Sequence, residues 1–256
     1  MPQPPSVVGL PVRAASAARA ALALCPPGEV LVHRQSFAHT HLYAGSSGLV
    51  ALTDRTASHS VCGVRVDPQT FAELADVRYL LAGDRVLAAD RFTIELRRIW
   101  RTRVPRLRLP SRATLEDLRD RLADAALGLP LGTELRPAAL VGLGGGLTPS
   151  GDDILCGALG AAHAWSTQAR IDELWSEAIG RIATTTDLSG QFLHAAWRGQ
   201  VAGELRALLM ALPTHRWHPA YDELLRVGHT SGADLAHGVF LMLSTLHDEE
   251  ENRIDD

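Results

Sequence analysis

The sequence has no lysine; all 25 of its basic residues are arginine. That excludes chemistry that needs a lysine amine, including a P-loop lysine, a Schiff-base lysine and an anchor for pyridoxal phosphate. Cysteine is scarce. Cys25, Cys62 and Cys156 are odd in number and form no CxxC pair, so neither a disulfide framework nor a thiolate zinc site is indicated. No apolar run reaches the roughly 18 residues of a membrane-spanning helix. Neither sign of charge dominates: the net −4 gives no global attraction to nucleic acid or to an anionic membrane, and neither is an expected partner. With 46% hydrophobic and 21% charged residues, the chain reads as an ordinary globular protein rather than a disordered one. The apolar run at 20–25, behind Arg13 and Arg19, is too short and alanine-rich for a signal-peptide core, and Leu24 stands where a lipoprotein site needs a small residue. A cytoplasmic location is expected.

The two halves differ in texture. Residues 29–35, 48–53, 61–66, 77–81 and 90–100 are short β-branched or alternating runs separated by Gly, Pro, Asp and Ser, and they read as strands. The last leads into an arginine cluster, Arg97, Arg98, Arg101, Arg103, Arg106, Arg108 and Arg112. This is either a solvated face or a patch for an acidic partner or anionic substrate. Beyond Pro110 the periodicity is helical over 111–127, 151–165, 170–184, 190–212 and 232–247. Thr114 and Asp117 have capping-box spacing in the first of these, and the acidic tail 248–256 reads as frayed. The expected fold class is α+β: a β-rich N-terminal domain over 1–110, then a helical domain over 111–256 with a Gly-rich loop at a helix N-terminus.

One feature stands above composition. A short apolar run at 138–141 opens into Gly142-Leu143-Gly144-Gly145-Gly146-Leu147-Thr148-Pro149-Ser150-Gly151-Asp152-Asp153 and then an apolar helix. Eighty-one residues on, Gly228-His229-Thr230-Ser231-Gly232-Ala233-Asp234 repeats the Ser-Gly-x-Asp design, again with a glycine four residues past the aspartate, Gly157 in one copy and Gly238 in the other. Asp187-Leu188-Ser189-Gly190 is a looser third copy. Each Ser-x-x-Asp can be a capping box, with the interior glycines permitting close helix contact and Asp152 merely favouring the helix dipole. Alternatively, the glycines let backbone N–H groups approach a phosphate or carboxylate at a helix N-terminus. Two aspartates already occupy that positive end, so a ligand there needs either Mg²⁺ bridging Asp152 and Asp153, or an NH₂ group that donates to a carboxylate. Both remain open. The string lacks the Lys-Ser/Thr ending of a P-loop and the third glycine of the dinucleotide fingerprint.

The two motifs together resemble the AllH-type family over residues 140–243, a family associated with the oxamate carbamoyltransferase of allantoin breakdown. The resemblance implies one subunit of a multi-component enzyme that converts oxalurate and phosphate to oxamate and carbamoyl phosphate. Its partners would be companion subunits and a small anionic or carbamoyl substrate. Carried onto this sequence, it implies ligand binding by Gly144, Gly145, Gly146, Thr148, Ser150, Gly151, Thr230, Ser231 and Asp234, with Ser189 and His194 facing the same cleft. His229, Asp152 and Asp153 would be catalytic, the two aspartates also being the candidate ligands for Mg²⁺, the one cofactor in view. Two other readings stand beside it: a non-catalytic assembly subunit, and a stand-alone Mg²⁺-dependent hydrolase of small amides or phosphates. Elsewhere, His39 and His41 alternate and would share a strand face, either as metal ligands or as ordinary strand histidines. Cys156 reads as a buried, inert thiol, and residues 215–219 as a connector.

Overall fold

Alternating side chains close the N-terminal half on itself. The computed structural model describes residues 9–254, and the chain divides into two units, Met1–Thr102 and Arg103–Asp256. The first unit holds β1 (Val12–Ala18), β2 (Val30–Phe37), β3 (Thr40–Gly45), β4 (Gly48–Thr53), β5 (Gly63–Arg65), β6 (Tyr79–Gly83), β7 (Val86–Ala88) and β8 (Thr93–Trp100). They form a closed barrel in the order β1-β5-β4-β3-β2-β6-β7-β8, sealed by parallel pairing of β1 with β8. Leu31, Tyr43, Val50, Leu52, Val64, Leu80, Leu87 and Ile94 fill the interior, each fully buried. A short helix, α1 (Pro68–Leu74), is capped by Asp67, whose side chain accepts the Thr70 N–H.

Three strands escape a reading of the sequence. β1 is mostly alanine, a weak strand former, and is held by neighbours on both sides. β3 and β7 are bounded by turns too short to separate them from β4 and β6 by composition. His39 and His41 do not share a strand face. His39 lies in the turn before β3 and meets Asp54 at 2.8 Å, whereas His41 is buried with Nε2 donating to the Phe71 carbonyl (3.1 Å) and Nδ1 at Ser36 Oγ (2.7 Å).

The second unit is helical: α2 (Arg112–Ala123), α3 (Pro137–Leu140), α4 (Ser150–Trp165), α5 (Gln168–Ile179), α6 (Asp187–Trp197), α7 (Gly203–Ala211), α8 (His218–Leu224) and α9 (Ser231–Ile254). Residues 103–110 form no helix or strand and are tied to it by hydrogen bonds. The Val104 N–H donates to Gly199 O (2.8 Å) and the Leu107 N–H to Ala164 O (2.9 Å). Arg103 and Arg106 of the arginine cluster therefore lie in the helical unit, while Arg97 and Arg98 lie in the barrel unit.

Helix α4 is buried over 14 of its 16 residues, which is why it is built almost entirely of small and apolar side chains. Its closest neighbour is α9. A Cβ on Gly157 would lie 2.0 Å from the Leu235 carbonyl oxygen, and one on Gly238 would lie 1.9 Å from that of Ile154. Backbone touches backbone at this crossing, and only glycine fits.

Several helix limits differ from expectation. The run 190–212 is two helices, broken where Gly199 takes φ +74°. The run 170–184 ends at Ile179, followed by a 3₁₀ turn, Ile182–Thr184. Ser111, not Thr114, caps α2, its hydroxyl accepting the Thr114 N–H. Residues 248–251 are not frayed but belong to α9, where Glu249 and Glu251 meet Arg170 and Arg112; residues 255–256 lie outside the described range. Residues 215–219 are more than a connector: α8 begins at His218, with Pro219 in its first turn and Trp217 buried before it. Among the described residues no helix is long and apolar enough to cross a membrane. Gly157→Ala and Gly238→Ala should each cost about 1–3 kcal/mol or more by overpacking, lowering the melting temperature by roughly 2–4 °C per kcal/mol. Gly145→Ala, where a Cβ meets nothing within 4 Å, serves as the control. Wild-type melting of both crossing variants would contradict the packing described.

Candidate functional site

The sequence repeat is also a structural one. Gly151 and Gly232 press against the ends of the preceding helices: added Cβ atoms would lie 2.1 Å from Leu140 O and 1.9 Å from Leu224 O. Neither entrance is a capping box. The N-cap of α4 is Pro149, whose carbonyl accepts the N–H groups of Asp152 (2.9 Å) and Asp153 (3.1 Å), and the Asp234 N–H goes to Thr230 O (2.9 Å). Helix α4 starts one residue earlier than the box requires, which places Ser150 inside the first turn. The aspartate side chains are thereby released from capping.

Residues next to each other on a helix point about 100° apart, and Asp152 and Asp153 serve different neighbours accordingly. Asp152 Oδ1 accepts the Gly142 N–H (2.8 Å), and Oδ2 accepts the hydroxyls of Ser189 (2.7 Å) and Thr185. Its oxygens are satisfied, and it fastens the glycine turn to the start of α6. Thr186 reinforces this junction, capping α6 through the Ser189 N–H (3.1 Å) while its own hydroxyl donates to Leu147 O (2.7 Å).

Asp153 faces α9 and is 6% exposed. Burial, with the Asp234 and Asp152 charges, drives its carboxyl up to about 8, against the pull of the Ser231 and Thr148 hydroxyls. Those hydroxyls lie 3.2 Å from each other. Asp234, fully buried, accepts the Gly128 N–H at 2.9 Å through Oδ1. The Oδ2 atoms of Asp153 and Asp234 are both buried with no hydrogen-bond partner among the described residues. Gly128 closes one side; a Cβ there would lie 1.9 Å from Ser150 Oγ and 2.7 Å from Asp234 Oδ2.

Thr148, Ser150, Asp153, Ser231 and Asp234 are thus gathered at one place, with Asp152 and Ser189 beside them. Gly144, Gly145 and Gly146 are exposed. Gly144 and Gly146 take φ of +111° and +91°, values that favour glycine, and no atom lies within 4 Å of a Cβ built on Gly145 or Gly146. Thr230 enters through its carbonyl, and Gly151 through its packing on Leu140. His229 is exposed in the turn before α9. His194 packs on Trp175, ring centroids 4.8 Å apart, where burial and then Arg198 lower its pKa. Cys156 is a free, buried thiol held protonated by burial and then by Asp153 and Asp152. Among the described residues no group of three His, Cys, Asp or Glu side chains is arranged to hold a metal ion.

Sequence reading misses four participants: Gly128, Thr185, Thr186 and His237. Gly128 reads only as a helix stop. His237 occupies the repeat position that Cys156 holds in α4; it is fully buried, with Nε2 at Leu131 O (3.1 Å) and Nδ1 unpartnered. The repeat offset is the signal that could find it.

Two Ser-Gly-x-Asp helix entrances, linked through Thr148 and Ser231 and meeting at a glycine crossing, define the site as that of an α-helical domain with paired, buried carboxylates. Residues 140–243, which contain both entrances, match the model of the family described as oxamate carbamoyltransferase subunit AllH. No solved structure matches the chain.

The raised Asp153 carboxyl has a consequence for stability. The folded protein holds this proton up to about pH 8, whereas the unfolded chain releases it near 3.9. The stability it contributes is full below the unfolded value, declines as pH rises from there, and is lost through the folded value. Asp153→Asn should therefore be the more stable protein at and above about pH 8, on the order of a few kcal/mol, with the gap narrowing toward pH 4. Chemical denaturation across this range checks it; parallel pH profiles for the two proteins would contradict a buried protonated Asp153.

Proposed function

We propose that this chain is a subunit of an oxamate carbamoyltransferase, and that the paired entrances hold the carbamoyl group. The match to the AllH family model over residues 140–243 supports the first statement, and one observation carries the second. Two buried carboxylate oxygens, Asp153 Oδ2 and Asp234 Oδ2, lack partners beside two hydroxyls. Native proteins rarely leave such atoms unpaired without a reason.

A carbamoyl group is complementary to that arrangement. One N–H of its NH₂ donates to Asp234 Oδ2. Its carbonyl oxygen accepts from the protonated Asp153 carboxyl and from the hydroxyl pair of Thr148 and Ser231, which removes the conflict between aspartates and an anion at a helix N-terminus. The N–H groups of Gly144, Gly145 and Gly146, which make no backbone hydrogen bond among the described residues, are available for the charge that develops when phosphate attacks. In that step a phosphate oxygen bonds to the carbamoyl carbon of oxalurate, the bond from that carbon to the oxamate nitrogen breaks, and the nitrogen takes a proton. His229, at the exposed turn, is the proton carrier in this reading. Asp152 is a positioning residue that holds the glycine turn. Companion subunits complete the enzyme.

A packing role for the same residues has one observation in its favour, that both Oδ2 atoms are closed to solvent. Calorimetric titration with carbamoyl phosphate, on the chain alone and with its companion subunits, separates the two. Asp234→Asn, which turns an acceptor into a donor, should weaken binding about tenfold or more. His229→Ala should lower turnover by roughly 10²–10⁴ while leaving affinity in place. Unchanged affinity in a folded Asp234→Asn protein, in the assembled enzyme, would assign these carboxylates to packing.

A further inference from the structure

We propose that the barrel unit carries a separate binding site for a small phosphate-bearing anion, in the trough formed by β5, β1 and β8. The trough is lined by Ala14, Ser16, Arg55, Arg65, Arg97 and Arg98, and by Asp67. β1 lies between β8 and β5, and Ser16 is paired with Arg98 on one side and with Arg65 on the other. Ala14 and Ser16 are two residues apart and so face the same way. Both are small, which makes β1 a low floor between two taller walls. With strands about 4.8 Å apart, Arg65 and Arg98 stand roughly 10 Å from one another across it, a span that two guanidinium arms close on a single tetrahedral anion.

A bulge makes this possible. Strict alternation on β8 would send residue 98 inward after the buried Ile94 and Leu96. The pairing shifts instead between Ala15 and Ser16, so that Arg97 is the extra residue and Arg97 and Arg98 are both exposed. Bulges re-aim side chains in this manner beside functional sites.

The positive charge in the trough is only partly compensated. Asp67 is its one carboxylate, and that group is committed to Thr70, accepting the backbone N–H (3.0 Å) and the hydroxyl (2.5 Å). Arg97 meets Glu95 at 2.8 Å, and Arg65 is held by His59 and the Arg55 carbonyl. Arg55 and Arg98 make no ion pair among the described residues. The asymmetry extends to the whole unit. Residues 1–102 have eleven arginines against eight carboxylates, a net +3, while residues 103–256 have fourteen against twenty-one, a net −7. Guanidinium groups approaching from opposite walls suit a tetrahedral dianion; a planar carboxylate is satisfied by one bidentate arginine. A nucleic acid strand would need a longer basic track than this one patch.

The test is calorimetric titration of the full chain with inorganic phosphate and, in a second arm, with glycerol phosphate. The two arms distinguish the free ion from a phosphate ester. Saturable binding is expected, weakened about tenfold by Arg98→Ala and further by the Arg55→Ala/Arg98→Ala pair. Both side chains are exposed and make no ion pair among the described residues, so the variants should fold, as circular dichroism would verify. The proposal is overturned if the double variant binds as the wild type does, if neither probe saturates at millimolar concentration, or if single-stranded DNA binds in an arginine-dependent way while phosphate does not. Phosphate is also the attacking substrate in the reading above, so binding is assigned to the trough only where the arginine variants weaken it; the carbamoyl site is read separately, by Asp234→Asn in the other unit.

Discussion

The contact between Gly157 and Gly238 governs the helical unit. Each glycine faces a carbonyl of the opposite helix at a distance that leaves no room for a Cβ, so α4 and α9 meet backbone to backbone. Their first turns, one turn back from the contact, are consequently brought together, and each carries a Ser-Gly-x-Asp. Asp153 and Asp234 are side by side because the glycines are. Their burial and their mutual repulsion follow from the same contact, and so does the elevated Asp153 carboxyl.

Around that crossing the polar groups fall into two kinds. Asp152 is fully engaged by a backbone N–H and two hydroxyls, and with Thr186 it secures the junction between the glycine turn and α6. Asp153 and Asp234 each retain an unengaged oxygen. Fold requirements account for the first arrangement. The second is a standing cost to stability, and a protein that keeps such a cost at one place commonly does so for the chemistry of that place.

The sequence made the repeat legible because the Ser-Gly-x-Asp spacing and the trailing glycine recur at a fixed offset, and α+β followed from the change in periodicity. Within the repeat the reading failed where a one-residue shift decides the outcome. A helix beginning at Ser150 rather than after it converts a capping box into a free carboxylate. Gly128 and Thr185 were illegible for another reason: they join the group only through tertiary contacts, Gly128 from 106 residues away, and nothing local marks them. In the barrel, β1 was hidden by its alanines. Its place in the sheet is decided by its neighbours rather than by its own side chains.

That strand also sets an order of events. β1 spans Val12–Ala18 and its parallel partner β8 spans Thr93–Trp100, so the seam of the barrel joins the first strand to the last. Loops of this length close slowly. On the ribosome the seam cannot form until residue 100 has emerged, and until then β1 and β8 each keep a bare edge able to pair with another chain. Synthesis of this protein therefore passes through an interval in which an almost complete sheet is open, and the protection that ends it is the pairing of its two termini.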